Sequence, residues 1–262
     1  MKNTSSIIVN AAIFLSLQLV TGLFIPGGAT SQVLNKKTVS TSIDTISTNI
    51  QGTGIELIIE FKKGPEHNHP LMAVWIEDMD GNYIQTLYVA RSIATGIFSF
   101  GQKTEGKWQP GEISRPAALP YWMHKRNIVN NKGSLVPSKG YEVPDAYSGA
   151  TPVDNFTLYT RTDKTIDSKF RILFEINQSW DWNEYWTNTK YPDDEEYKTS
   201  SQPAVVYAAE IDPHQMNARY KLTPIGRSHY SGADGNLYHD LETLTTALRI
   251  ASEITVTVLP QK

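Results

Sequence analysis

The sequence predicts a mainly β protein, built as an antiparallel immunoglobulin-like β-sandwich with long loops and one C-terminal helix. Short β-prone runs bounded by turn residues recur along the chain. Long Pro-containing stretches separate them, and a segment near the C-terminus has helical apolar spacing. The 262 residues are enough for one large β domain with its own core.

The first 31 residues predict a signal peptide. Lys2 gives a positive start, residues 7–24 are mostly apolar, and residues 26–31 supply small residues for cleavage. A retained single-span anchor is the alternative, because the apolar run approaches spanning length. Either reading predicts export to the periplasm, the extracellular space or the cell surface. Residues 32–53 are predicted to be an N-terminal linker or edge segment, and residues 54–262 a single β-sandwich domain.

The first strands are predicted from alternation and turn chemistry. Apolar residues alternate over residues 55–61, which is typical of a strand with one buried face. A short apolar run covers residues 71–76, and a second β-prone run covers residues 83–89. Asp80-Gly81 lies between the two runs and predicts a hairpin.

The pattern weakens in the middle of the chain and returns later. Residues 91–140 predict a short helix near 92–99, followed by an ordered irregular segment. Further strands are predicted at residues 170–176, 204–211, 220–222 and 254–259. The predicted C-terminal helix covers the core, and its apolar positions are Leu237, Leu241, Leu244, Leu248 and Ala251.

Composition and motifs exclude several functions. A net charge of -3 gives no basic footprint for nucleic acid, and the absence of cysteine excludes disulfides and thiolate chemistry. The sequence contains no P-loop, His-Glu-x-x-His or Gly-x-Ser-x-Gly motif, so it predicts no catalytic residue. His67 and His69 could share one side of a strand as metal ligands, but no carboxylate partner accompanies them, and no metal site is predicted.

The segment SWDWNEYW, residues 179–186, has the highest density of aromatic residues. Such rings at a strand end can serve packing, because each buries a large area. They can also form a stacking wall for a planar ring or a platform for a sugar. The sequence leaves these alternatives open.

The segment DAYSGAT, residues 145–151, combines turn residues with a hydroxyl. Gly149 and Ala150 remove bulk before Thr151, so a modifying enzyme could grip the backbone there. Asp145 and Ser148 could shape the turn or be read by that enzyme. A Thr hydroxyl is a poor nucleophile until it is activated, and the modifying enzyme would supply the activation.

The pattern Asp145-x-x-Ser148-Gly149-Ala150-Thr151 resembles the flavinylation motif of bacterial FMN-binding domains. In those domains the final Thr is joined through its hydroxyl to the phosphate of FMN. The resemblance implies modification by a magnesium-dependent flavin transferase, which works outside the cytoplasm and uses FAD. A related segment, Tyr230-Ser231-Gly232-Ala233-Asp234, lacks the upstream Asp and the acceptor Thr and is predicted to be inert.

The remainder of the chain resembles a secreted bacterial β-sandwich family of unknown function. The resemblance covers about residues 50–260 and is carried by the segments AVWIEDMDGNYIQTLYV, RPAALPYWMHKR, SWDWNEYW and QPAVVYAAEID. Some members occur beside PepSY-type membrane proteins and flavin transferases. This association implies flavin-based electron transfer with a membrane redox partner.

The expected function is that of an extracytoplasmic electron-transfer flavoprotein, with FMN attached covalently through a phosphoester to Thr151. Such a protein is a redox carrier rather than an enzyme with its own substrate. Trp182 and Trp186 are the residues expected to shield the isoalloxazine ring. The alternative is a non-redox immunoglobulin-like binding or structural module for a carbohydrate or protein partner.

Overall fold

A computed structural model describes residues 43–143 and 151–260. Two five-stranded sheets pack face to face, which confirms the predicted β-sandwich. The strands are β1 (Asp44–Ser47), β2 (Glu56–Lys63), β3 (Leu71–Asp78), β4 (Tyr83–Val89), β5 (Ile97–Thr104), β6 (Lys107–Glu112), β7 (Phe156–Arg161), β8 (Phe170–Asn177), β9 (Val205–Ile211), β10 (Arg219–Lys221), β11 (Thr223–Arg227) and β12 (Ala251–Val258). The helices are short: α1 (Arg91–Thr95), α2 (Pro120–Arg126) and α3 (Glu195–Ser200).

The strand order in the first sheet is β1-β7-β2-β12-β10, and in the second it is β11-β9-β8-β3-β4. Neighbouring strands within both sheets are antiparallel, apart from the parallel pair β1 and β7. Strands β5 and β6 form a separate two-stranded ribbon, the β5–β6 hairpin. The hairpin predicted at Asp80-Gly81 joins β3 to β4, and Gly81 supplies the positive φ of 85° that its turn requires.

The core between the sheets explains the alternation in the sequence. In β2, Leu57, Ile59 and Phe61 point inward and are almost completely buried. The Phe61 ring stacks on Phe156 and Phe174, with centroids 5.0 Å and 5.8 Å apart. These rings join the two sheets at one end of the sandwich.

The second sheet is buried on both faces, which explains the continuous apolar run of β3. Residues of α1, α2 and the following loop cover its outer face and form a second apolar cluster with Trp75. The buried carboxylate of Glu175 holds α2 in place, because it accepts hydrogen bonds from the amides of Tyr121 (3.2 Å) and Trp122 (2.7 Å).

The structure differs from the sequence prediction in several segments. The C-terminal helix predicted at residues 237–251 is not formed; the chain makes loops and a turn of 3₁₀ helix, Ala247–Arg249, and then enters β12. The strands β7 and β11 were not predicted. Asp44–Ser47, within the predicted N-terminal linker or edge segment, forms the edge strand β1. Part of the segment predicted to be irregular forms the β5–β6 hairpin. Among the described residues, no helix is long and apolar enough to cross a membrane.

Candidate functional site

The chain enters β7 and leaves β8 at the same end of the sandwich. Val74 is in register with both Tyr88 and Phe174, and Phe61 is in register with Phe156. Because β4 and β8 both run toward this end and β7 starts from it, residues 151–155 and 178–183 both lie there. We call it the Thr151 end of the sandwich.

Thr151 is partly buried and is held against the core. Its side chain lies beside the hydroxyl of Tyr88, whose side chain is almost completely buried beside Phe156. Burial raises the pKa of Tyr88 above its ordinary value, although the neighbouring Thr151 hydroxyl acts in the opposite direction. Tyr88 therefore stays protonated at neutral pH and can donate a hydrogen bond to the Thr151 oxygen.

Basic side chains lie close to the segment that follows Thr151. Lys63 forms an ion pair with Asp154 at 3.0 Å, and its amide donates a hydrogen bond to Asn155 Oδ1 at 2.8 Å. The His67 ring packs 5.7 Å from Phe61, and its Nε2 is buried without a hydrogen-bond partner in the described part of the chain. Burial lowers the pKa of His67; Lys63 also lowers it, whereas Asp154 raises it.

The loop between β2 and β3, residues 64–70, connects this region to the aromatic segment. The Asn68 amide donates a hydrogen bond to Gln178 Oε1 at 2.7 Å, two residues before Trp180. Farther along the same segment, burial raises the pKa of Asp181, and the nearby Glu66 carboxylate raises it further. The end of β2 contacts the Thr151 segment through Lys63, and the loop that follows it contacts the start of the aromatic segment through Asn68.

Residues 179–182 form a strained turn, which we call the aromatic turn. Trp180 has a φ of 57°, in the left-handed region that bulky residues rarely adopt. The Trp182 amide bonds to the Trp180 carbonyl at 3.1 Å, which tightens the turn. Ser201, bridged to Asp181 in the neighbouring segment, also has a positive φ, of 72°.

Asp181 anchors the aromatic turn in the protein interior and is only 9% exposed. Thr246 Oγ1 donates a hydrogen bond to its Oδ1, and the Gln202 side chain donates one to its backbone carbonyl at 3.1 Å. Asp181 Oδ2 is buried and has no partner in residues 43–143 and 151–260. Backbone bonds from Trp180 to Thr199 (3.2 Å) and from Asp181 to Ser200 (3.1 Å) complete the anchor.

The two tryptophans expected to shield the flavin ring differ in their exposure. Trp182 is 45% exposed, whereas Trp186 is 2% exposed. The Trp186 indole donates a hydrogen bond to Thr243 Oγ1 at 3.1 Å and packs beside Tyr197 and Tyr230. In this arrangement Trp186 presents no open ring face to a ligand.

The remaining predicted site residues, Asp145, Ser148, Gly149 and Ala150, lie outside the described residues. Sequence reasoning did not select Trp180, Tyr88 or Lys63 as site residues. Tyr88 lies in a predicted strand and Lys63 follows one, and nothing in the local sequence reveals the positive φ of Trp180. No cluster of three His, Cys, Asp or Glu residues with metal-binding geometry occurs in the described ranges.

The second Ser-Gly-Ala segment forms a closed turn. His229 Nδ1 accepts hydrogen bonds from the amides of Ser231 (3.2 Å) and Ala233 (3.3 Å). Gly232 packs so closely on Pro116 that a Cβ at this position would lie 2.2 Å from the Pro116 carbonyl oxygen. Another enzyme could not enclose this backbone without first displacing it.

A scan against models of protein families found no match to this chain, and searches of curated proteins and of solved structures also found none.

Proposed function

We propose that this protein is an exported electron-transfer protein that carries FMN covalently attached through the hydroxyl of Thr151. The observation that carries the proposal is the position of Thr151 at the end of the sandwich, partly exposed and beside the hydroxyl of a buried tyrosine. An acceptor residue must be reachable by the modifying enzyme, and its support must hold the attached group at a defined place. Thr151 combines both properties.

The surrounding residues fit the charge of the attached group. A phosphodiester retains about one negative charge. Lys63 lies beside Asp154, three residues after Thr151, and His67 has a buried Nε2 without a partner in the described residues. Lys63 would share its charge between Asp154 and the phosphate, and Tyr88 would donate a hydrogen bond to the ester or phosphate oxygen.

The attachment reaction balances with FAD as the donor. The Thr151 oxygen attacks the phosphorus of the FMN half, a new oxygen–phosphorus bond forms, and the pyrophosphate bond of FAD breaks with departure of AMP. A base of the magnesium-dependent flavin transferase takes the hydroxyl proton, so this chain needs no base of its own. This is consistent with a sequence that has no recognisable catalytic motif.

Bound FMN would supply the oxidation–reduction chemistry, and the chain would supply attachment, orientation and electrostatics. Within the described residues, Tyr88 orients the acceptor and Lys63 balances charge. A PepSY-type membrane protein is the redox partner that the sequence resemblance suggests. Exchange of electrons between the two would occur outside the cytoplasm.

The test is to co-express the full chain with an FMN transferase in cells that supply FAD and magnesium. The intact mass of the wild type should rise by one FMN, and the band should fluoresce in a denaturing gel. Thr151→Val keeps the β-branched shape and removes the hydroxyl, so it should abolish both signals. Asp145→Ala should reduce them, because the transferase is expected to read that residue.

Asp234→Thr is the matched control. It places a Thr after the second Ser-Gly-Ala, but that turn is closed and lacks an Asp three residues before the Ser. We expect no second FMN. A wild-type chain that stays unmodified under conditions that label a known FMN-binding domain would contradict the proposal.

A further inference from the structure

We propose that the indole rings of Trp180 and Trp182, presented by the strained aromatic turn, stack on the isoalloxazine ring of the FMN tethered to Thr151. The inference rests on the proposed function and names the residues that hold the ring.

The aromatic turn is maintained against the backbone preference of its residues. A left-handed conformation at a Trp is unfavourable and persists only where the surroundings over-determine it. Here Thr199, Ser200, Gln202 and Thr246 each contribute a hydrogen bond to the two residues Trp180 and Asp181. Strained residues of this kind cluster at binding and catalytic sites.

Packing does not explain the positions of the Trp180 and Trp182 rings. Trp180 is 64% exposed and Trp182 is 45% exposed, whereas Trp186 in the same segment is 2% exposed and fills the core. A strained turn that served packing would bury its large side chains. This turn instead holds two apolar rings in solvent on a rigid support.

A flavin tethered at Thr151 lies at the same end of the sandwich as the aromatic turn. Strands β4 and β8 are separated only by β3, so Tyr88 and Phe174 lie about 10 Å apart across the sheet, and β8 ends about 10 Å farther along; the exit of β8 is thus about 14 Å from Tyr88. Lys63 contacts the Thr151 side, and Asn68 contacts Gln178 beside the turn. An isoalloxazine tethered at Thr151 is a planar group with two large faces, and an exposed indole face is its natural stacking partner.

The experiment uses the flavinylated full chain and three substitutions: Trp180→Ala, Trp182→Ala and Trp180→Phe. Intact mass first measures FMN loading. Flavin emission yield and lifetime then measure stacking, because an indole in contact with the ring quenches its fluorescence. Each Ala substitution should lower the ratio of stacked to free flavin about fivefold, and Trp180→Phe should restore most of the quenching.

Trp108→Ala is the matched control, because Trp108 is 60% exposed near the tip of the β5–β6 hairpin, opposite Lys103. It should leave flavin emission unchanged. Fully loaded Ala variants with wild-type emission would overturn the inference while the proposed function stands. An equal change in Trp108→Ala, or loss of loading in Trp180→Ala that Phe does not rescue, would also overturn it. A wild-type chain without FMN would instead refute the proposed function, and the inference with it.

Discussion

The β5–β6 hairpin and the aromatic turn both expose indole rings, but their backbones differ. Trp108 on the hairpin is 60% exposed, close to the 64% of Trp180 on the turn. The positive φ values of the hairpin are confined to its tip, at Glu105 (49°) and Gly106 (79°), where a two-residue turn requires them. In the aromatic turn the positive φ falls on the Trp itself.

The two regions also differ in how they are attached to the protein. The aromatic turn is bonded to the segments around Ser200, Gln202 and Thr246, and its Asp181 is buried. Most residues of the hairpin are exposed on both strands, and Lys103 lies 6.0 Å from the Trp108 ring as its local partner. The proposed site therefore rests on exposure combined with strain and a buried anchor, and not on exposure of an aromatic ring alone.

The largest expected effect separates buried from exposed rings within the aromatic segment. Trp186→Ala should reduce the free energy of unfolding by about 3–5 kcal/mol, because it leaves a cavity in the core. Trp180→Ala should change it by less than about 0.5 kcal/mol. Urea unfolding of the unmodified chains measures both. Similar losses of unfolding free energy for the two variants would show that Trp180 contributes to packing as Trp186 does.

The next effect concerns local opening. Amide hydrogen exchange should be fast along the β5–β6 hairpin, since a two-stranded ribbon without packed faces is marginally stable. The amides of Asp181 and Gln202 should exchange more slowly, with opening free energies higher by about 2 kcal/mol or more. Equal protection in both regions would mean that the hydrogen bonds around Asp181 do not rigidify the turn.

The pH dependence of stability tests the anchor. Burial raises the pKa of Asp181 above its unfolded value, so the folded state keeps a proton that the unfolded state has lost. Stability relative to Asp181→Asn should therefore fall as pH rises from 4 to 7. Asparagine removes the titration and keeps the acceptor for Thr246. A stability difference between the two proteins that stays constant over this pH range would show that Asp181 does not titrate there.

The smallest expected effect is that of Trp108→Ala on the hairpin. It should change the free energy of unfolding by less than about 0.5 kcal/mol, because the ring buries little area. The same urea titration measures it. A loss above 1 kcal/mol would show that the hairpin packs on the sandwich more tightly than its exposure indicates.

Strand prediction succeeded where one face of a strand is buried. The alternation of Leu57, Ile59 and Phe61 reports directly which face meets the core. The apolar spacing from Leu237 to Ala251 misled the prediction, because an irregular loop places Leu244 and Ala247 in the core as well. The Asn183 side chain donates a hydrogen bond to the Thr243 carbonyl, and the Thr245 amide donates one to Gln202 Oε1, so these backbone groups are not available to a helix.

Within the candidate site, Thr151 was proposed as the acceptor from the sequence, but its supporting residues could not be identified from it. Trp180 and Trp186 have the same chemistry and lie six residues apart, and their burial depends on contacts with distant segments. The partner of Thr151, Tyr88, precedes it by 63 residues and is brought close only by the packing of β4 against β7. Long-range packing of this kind leaves no local pattern.

The base of the β5–β6 hairpin has a consequence for evolution and engineering. The Ile113 amide bonds to the Gly96 carbonyl at 3.0 Å, so the two chain ends that leave and re-enter the body already meet there. A relative could lengthen or delete the sixteen residues between them, and a short loop would close the gap without altering either sheet. The hairpin is thus a place where this fold can accept insertions, epitope tags or a fused domain without a change to the residues at the Thr151 end.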